Sequence, residues 1–311
     1  MPVAIEVHEL RKLYGERAAV DGLSLTIAEG EVYALLGPNG AGKSTTVEIL
    51  EGHRARTSGD VSVLGVDPAR GGGAFRDRIG IVLQTSGIED ELSIREALEI
   101  YGSTYSHRRP VEEAVALAGL GEQLDQRIGT LSGGQRRRVD LALGIVGRPA
   151  VLFLDEPTTG FDPAARRDAW DVVRELGRGG TTVLLTTHYL DEAEHLADRV
   201  GVIAAGRLLA EGTPDELIGG SVATVVRFER PEGIAAADLD RAVPPGALVE
   251  GRQVEFSTLT PTRDVHRLCA WAVERGVELG GLAVARPSLE DAFRALTADV
   301  DDRRRPEGRR P

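Results

Sequence analysis

The order of apolar and polar positions divides the chain into strand and helix segments before any motif is considered. Near the start, IEVHEL alternates like a strand with one buried face, and LSLTI repeats the signal. EVYALLG is different: it is almost continuously apolar and stops at Gly37, as a strand buried on both faces does. A helix follows over STTVEIL, where Val47 and Leu50 stand at helical spacing. IGIVLQ, from Ile79 to Gln84, predicts another buried strand ending in an amide side chain. From Thr85 to about Val146 the pattern turns helical, through SIREALEIYG, PVEEAVALAGL and the segment after Ser132, and this stretch reads as a separate helical lobe. AVLFLDEP and TTVLLTTH return to buried strands, the first running into Asp155 and Glu156 and the second into His188. RVGVIAAGRLLAEG predicts a hairpin. Past residue 218, TVVRFE, RQVEFS and GLAVAR read as strands beside a helix from Pro261 through Val273, and SLEDAFRALT predicts a last helix.

Between the third strand and the helix that follows lies GPNGAGKST, so the context is strand, glycine-rich loop, helix. Gly37, Gly40 and Gly42 permit the backbone conformations that turn successive N–H groups inward, and the helix start adds partial positive charge. Lys43 is placed to bridge the β- and γ-phosphates of a nucleotide, and the Ser44 hydroxyl to reach Mg2+. Composition sharpens this reading: of 37 basic residues only Lys12 and Lys43 are lysines, so Lys43 stands out as chemically required. A phosphate clamp in a tight loop calls for a compact ammonium on a flexible stem rather than a planar guanidinium. Asp155 and Glu156, at the carboxyl end of a buried strand, sit where open α/β sheets bind ligands. Asp155 suits the Mg2+ shell and Glu156 suits polarising an attacking water.

A second anion nest stands in LSGGQRRRV, where small residues bunch at the start of a helix that Ser132 is able to cap. One nucleotide does not need two such nests. The arginines that follow, Arg136 to Arg138, read as a solvated helix face.

Bulk properties set outer limits. A chain of 311 residues, 41% hydrophobic and 28% charged, buries a sizeable core in one large domain or two unequal ones. A net charge of −12 argues against nucleic acid as the main partner. The single cysteine, Cys269, excludes an intramolecular disulfide framework and fits a reducing compartment. No basic region followed by an apolar one marks a signal peptide, and no apolar run approaches a membrane span.

These motifs, in this order, resemble the ATP-binding subunit of an ABC transporter: Walker A GPNGAGKST, Q-loop Gln84, signature LSGGQ, Walker B VLFLDE, D-loop TGFD and H-loop His188. The resemblance covers roughly residues 3 to 218 and implies an α/β fold: a P-loop, RecA-like lobe with an antiparallel β subdomain and a helical lobe. It implies that ATP and Mg2+ are bound by Tyr14 and Val20 at the base, and by Gly37, Pro38, Asn39, Gly40, Ala41, Gly42, Lys43, Ser44 and Thr45 around the phosphates. Gln84 would sense the metal and the water, with Ser44 and Asp155 as further metal contacts, and His188 would contact the γ-phosphate. It also answers the question of the second nest. In this family two copies meet head to tail, so Ser132, Gly133, Gly134 and Gln135 would hold the γ-phosphate bound by the partner, with Asp162 organising the interface. Phe161 departs from the leucine frequent at its position, a conservative apolar change.

The expected organisation is therefore a nucleotide-binding domain over 1–218, with its helical lobe at about 85–146. A small α+β accessory domain follows over 219–298 and a disordered tail over 299–311. PSLEDAFRALT is similar to the C-terminal segment of daunorubicin-type and related ABC-2 export ATPases, where the appendage is regulatory or supports dimerisation. The expected function is an ATPase at the cytoplasmic face of the membrane that drives a separate multi-span permease, for export of a drug, antibiotic or other hydrophobic compound. The stretch from Gln84 to Tyr105 would form the groove for that permease. Importers and lipid or polysaccharide systems share the core motifs. Soluble repair or ribosomal relatives carry long coiled-coil inserts or two cassettes per chain, and neither is present here.

Overall fold

The computed structural model describes residues 2–82, 87–218, 224–239, 242–285 and 288–302. The chain divides into two compact units, one built on the residues up to Pro214 and the other on Asp215–Ala295.

In the first unit, β1 (Val3–Tyr14) pairs antiparallel with β2 (Arg17–Ala28) across a tight turn at Gly15. The alternation seen in the sequence puts Ile5, Val7 and Leu10 of β1 and Leu23, Leu25 and Ile27 of β2 into the core. β3 (Val32–Leu36) is buried at every position, as its unbroken apolar run requires. It feeds the glycine loop and then α1 (Lys43–Leu50). β4 (Ser58–Val63) pairs with β1, completing an antiparallel sheet of order β2–β1–β4. After the short α2 (Gly73–Arg76) comes β5 (Ile79–Val82). The helical stretch contributes α3 (Ile94–Gly102), α4 (Val111–Leu117) and α5 (Gly133–Val146). Ile94, Leu98, Val115, Val139 and Val146 close a core of their own there, so the lobe is held by its own apolar contacts.

The chain then returns through β6 (Val151–Asp155), α6 (Pro163–Arg178), β7 (Thr182–Thr187) and α7 (Leu190–Leu196). β8 (Arg199–Ala204) and β9 (Arg207–Gly212) form the expected hairpin. The second sheet has the order β5–β6–β7–β3–β8–β9, parallel from β5 to β8. Its register pairs Leu36 with Thr187 and Asp155 with Thr186. The glycine loop, Glu156 and His188 therefore all leave the sheet at one carboxyl edge.

α8 (Pro214–Leu217) spans the start of the second unit. There β10 (Thr224–Glu229), β11 (Leu248–Glu250), β12 (Gln253–Thr258) and β13 (Gly280–Ala285) form an antiparallel sheet of order β11–β12–β10–β13. α9 (Pro261–Glu274) buries Leu268 and Trp271 with Val226, Phe228, Val254 and Phe256 of the sheet. β11 escapes a sequence reading because it is short and exposed at each of its three positions, so it carries no alternation. α10 (Leu289–Asp302) runs four residues into the stretch expected to be a disordered tail, since ALTADVDD contains no helix breaker. Gln84 and the arginine-rich end from 303 lie outside the described residues.

Candidate functional site

The glycine loop is shaped by close backbone approach. Gly42 has φ +108°, and a Cβ there would stand 2.4 Å from the Ala19 carbonyl oxygen, so no other residue fits. A Cβ on Gly37 would stand 2.3 Å from the Ile203 carbonyl oxygen. Lys43 curls back over the loop: its Nζ donates to the Gly37 carbonyl at 2.6 Å and the Pro38 carbonyl at 3.3 Å. Burial lowers the pKa of this ammonium, and Glu156 and Asp155 act against that shift. The cation thus stands within the influence of the Walker B carboxylates. Ser44 is exposed at the mouth of the loop.

Gly42, Lys43 and Ser44 line an open cleft of about 520 Å3 together with Tyr14, Arg17, Ala19, Asn39, Gly40, Ala41, Thr45, Glu156 and His188, while Gly37 and Pro38 are not part of its lining. Tyr14, 45% exposed, stands at one end, its hydroxyl held by a hydrogen bond from Arg54 and the Lys12 ammonium 5.0 Å from its ring centroid. Val20, expected at the base, does not line the cleft. It is fully buried in the core, and Ala19 and Arg17 line the cleft instead. Nothing in GERAAVD distinguishes which of two neighbours faces out, because β1 and β2 carry register shifts that break simple alternation.

At the carboxyl edge, the Thr186 hydroxyl donates to Asp155 Oδ1. Glu156 lies one residue on and adopts φ +48°, outside the usual region for a non-glycine residue. Its Oε1 is 3.0 Å from His188 Nδ1, its Oε2 accepts from the Thr159 hydroxyl at 3.3 Å, and its side chain is 14% exposed. His188 stacks on Tyr189 with ring centroids 4.1 Å apart. Base candidate, histidine and lysine thus share one cleft wall.

The signature residues do not join them. Ser132 caps α5 through a capping box, its hydroxyl accepting from Gln135 N at 3.2 Å while Ser132 N donates to Gln135 Oε1 at 2.9 Å. Ser132 and Gly133 are exposed, and none of Ser132, Gly133, Gly134 and Gln135 lines the cleft among the described residues. Asp162 likewise caps α6, accepting from Ala164 N and Ala165 N at 2.9 Å each, away from the cleft.

The arginine run is not uniformly solvated. Arg136 and Arg138 reach surface carboxylates, Asp90 and Asp168, each at 2.7 Å. Arg137 is only 8% exposed and donates to the Asp155, Glu156 and Pro157 carbonyls at 2.9, 3.1 and 3.2 Å. Burial lowers its pKa, offset by Asp140, Asp155 and Glu156. Sequence pattern misses this residue because three adjacent arginines look alike until the helix phase is known.

Residues 20–159 match the ABC transporter family, and residues 224–288 match the C-terminal domain family of ABC transporter domain-containing proteins. The chain is 41% identical to the daunorubicin resistance ATP-binding protein DrrA3 of Streptomyces coeruleorubidus, with 97% of each chain covered. It is 39% identical to the Nod factor export ATP-binding protein I of Rhizobium meliloti, over 95% of this chain and 88% of that one. Among solved structures, it is similar to the dimeric post-hydrolysis state of the ATP-binding cassette MJ0796 bound to ADP and Pi. That similarity has 25% identity and a TM-score of 0.62, covering 67% of this chain and 98% of that one. A nucleotide cleft on this fold, with relatives matched over nearly the whole chain, places the protein in the family of ABC transporter ATP-binding subunits, ATPases whose hydrolysis is coupled to transport.

Proposed function

We propose that this chain energises export of a drug, antibiotic or other hydrophobic compound through a separate multi-span permease of the ABC-2 type, from the inner face of the cell membrane. Support comes from the length of the likeness: relatives named for daunorubicin resistance and Nod factor export match through the C-terminal unit as well as the nucleotide unit. No described helix is long and apolar enough to cross a membrane. The groove for it is assigned to the stretch from Gln84 to Tyr105, where Ile100 and Tyr101 leave apolar surface 53% and 38% exposed. The C-terminal α+β unit is assigned the regulatory or dimer-supporting role, within a division at about residue 218.

The catalytic assignment follows the cleft. Water attacks the γ-phosphorus, the bond to the β–γ bridging oxygen breaks, and Glu156 takes the proton that the water loses. His188, 3.0 Å from Glu156, orients that carboxylate and contacts the γ-phosphate, and Lys43 leaves its loop carbonyls to meet the β- and γ-phosphates. Tyr14 stacks on the base, with Ala19 taking the place first given to Val20. The exposed Ser44 hydroxyl and the Asp155 carboxylate are hard oxygen donors of the kind that suit Mg2+, with Gln84 assigned beside them. When bound, Mg2+ neutralises charge on the phosphates.

One observation carries the dimer: Ser132, Gly133 and Gly134 form an exposed helix start that the chain's own cleft does not use. A second copy, head to tail, brings that nest to the γ-phosphate of its partner. Hydrolysis removes the charge both sides share, and the pair loosens. Co-expression with a multi-span protein encoded beside it tests the transport reading. The chain is expected in the membrane fraction with its ATPase stimulated. A chain that stays soluble and turns over only with DNA or ribosomes contradicts it.

A further inference from the structure

The buried guanidinium of Arg137 joins two parts of the molecule that the reaction uses separately. It lies on α5, five residues after the Ser132 cap and so about one and a half turns from the signature nest. Its donors close on three consecutive carbonyls, those of Asp155, Glu156 and Pro157, where β6 ends. The middle residue of the three is Glu156, with φ +48°. A non-glycine residue holds such a conformation only where its surroundings over-determine it. The contacts on Glu156 itself supply that: its N–H donates to the Thr186 carbonyl at 3.0 Å, and its carbonyl and both neighbouring ones face Arg137. Arg136 and Arg138 spend their donors on Asp90 and Asp168 at the surface, so they do not share this task. A planar fork with fixed N–H directions reaches three acceptors spread along a turn, whereas an ammonium offers its donors from a single point on a flexible stem.

We propose that Arg137 is a positioning residue for ATP hydrolysis: it holds the backbone turn that aims Glu156 into the cleft, and so ties the signature helix to the chain's own catalytic carboxylate. The inference rests on Glu156 as the residue that polarises water. Its consequence concerns the dimer. Engagement of the partner's γ-phosphate at Ser132 and the readiness of Glu156 on the same chain are linked through one side chain. Each site then reports its occupancy to the other by way of α5.

The test uses the full chain as parent, Arg137→Gln, Arg137→Lys, Glu156→Gln and the double variant Arg137→Gln with Glu156→Gln. Mg-ATP turnover, affinity for a fluorescent ATP analogue and thermal midpoint are measured for each. Arg137→Gln is expected to keep nucleotide affinity within about threefold while kcat falls about 100-fold, as for a misplaced catalytic group. Arg137→Lys is expected to recover part of that loss. On the Glu156→Gln background, Arg137→Gln is expected to lower the residual turnover by less than about threefold, since residues acting as one unit are not additive. A full multiplicative loss in the double variant, an unchanged kcat in folded Arg137→Gln, or a loss confined to affinity overturns the proposal. If Arg137→Gln does not fold, the same cycle with Arg137→Lys decides. Normal turnover in Glu156→Gln alone is a separate outcome: it removes the role of Glu156, and the role of Arg137 falls with it.

Discussion

Single side chains at this site are set by what burial does to charge. Glu51, at the end of α1, is 4% exposed, and burial together with Asp155 and Glu48 pushes its pKa up from 4.5 to about 7. Because the folded state holds the proton more tightly than the unfolded chain, stability from this group is full below pH 4.5 and is lost as pH rises through 7. The span corresponds to about 3 kcal/mol. Glu51→Gln is therefore expected to be more stable than the parent at pH 8 and to show a flatter dependence between pH 5 and 7 in denaturant titrations. An equal slope in both proteins contradicts this. Legibility at this scale was uneven. Lys43 stood out because only one other lysine occurs in the chain. Arg17, Ala19 and Arg137 carried no such mark, since their importance depends on which way a bulged strand or a helix turns them.

Among the elements, α5 carries one short motif with an observed purpose, the cap, and a proposed one, the phosphate nest. LSGGQ holds both halves of a capping box, Ser132 and Gln135, and the same small residues leave an exposed nest. Substitution separates the two purposes. Ser132→Ala loses the cap and is expected to cost about 1 kcal/mol of stability, whereas Ser132→Gly costs a few tenths. Both remove the hydroxyl proposed to meet the partner's phosphate, so on that proposal turnover is expected to fall roughly tenfold in each. Parental turnover in the stable Ser132→Gly variant would leave Ser132 as a cap alone. The principal elements, β3, β6, β7 and the helices between them, were readable because each is long, strongly apolar or capped. β11 and the full length of α10 were not, for want of periodicity in one and of a stop signal in the other.

For the whole molecule, the sheet order β5–β6–β7–β3 brings loops far apart in sequence to one edge, and pattern alone does not state that order. The resemblance implied a RecA-like lobe without its strand order, and the cleft at the carboxyl edge agrees with that lobe. The same geometry leaves Ser132 to Gly134 outside the lining of the chain's own cleft, the observation on which the proposed two-copy arrangement rests. The most direct measurement is the mass of Glu156→Gln in solution by sedimentation or light scattering, with saturating Mg-ATP and with Mg-ADP. With ATP the account predicts twice the 33.2 kDa protomer mass, reverting to the protomer with ADP. A variant that binds Mg-ATP and stays at the protomer mass, alone and with the proposed permease, contradicts it.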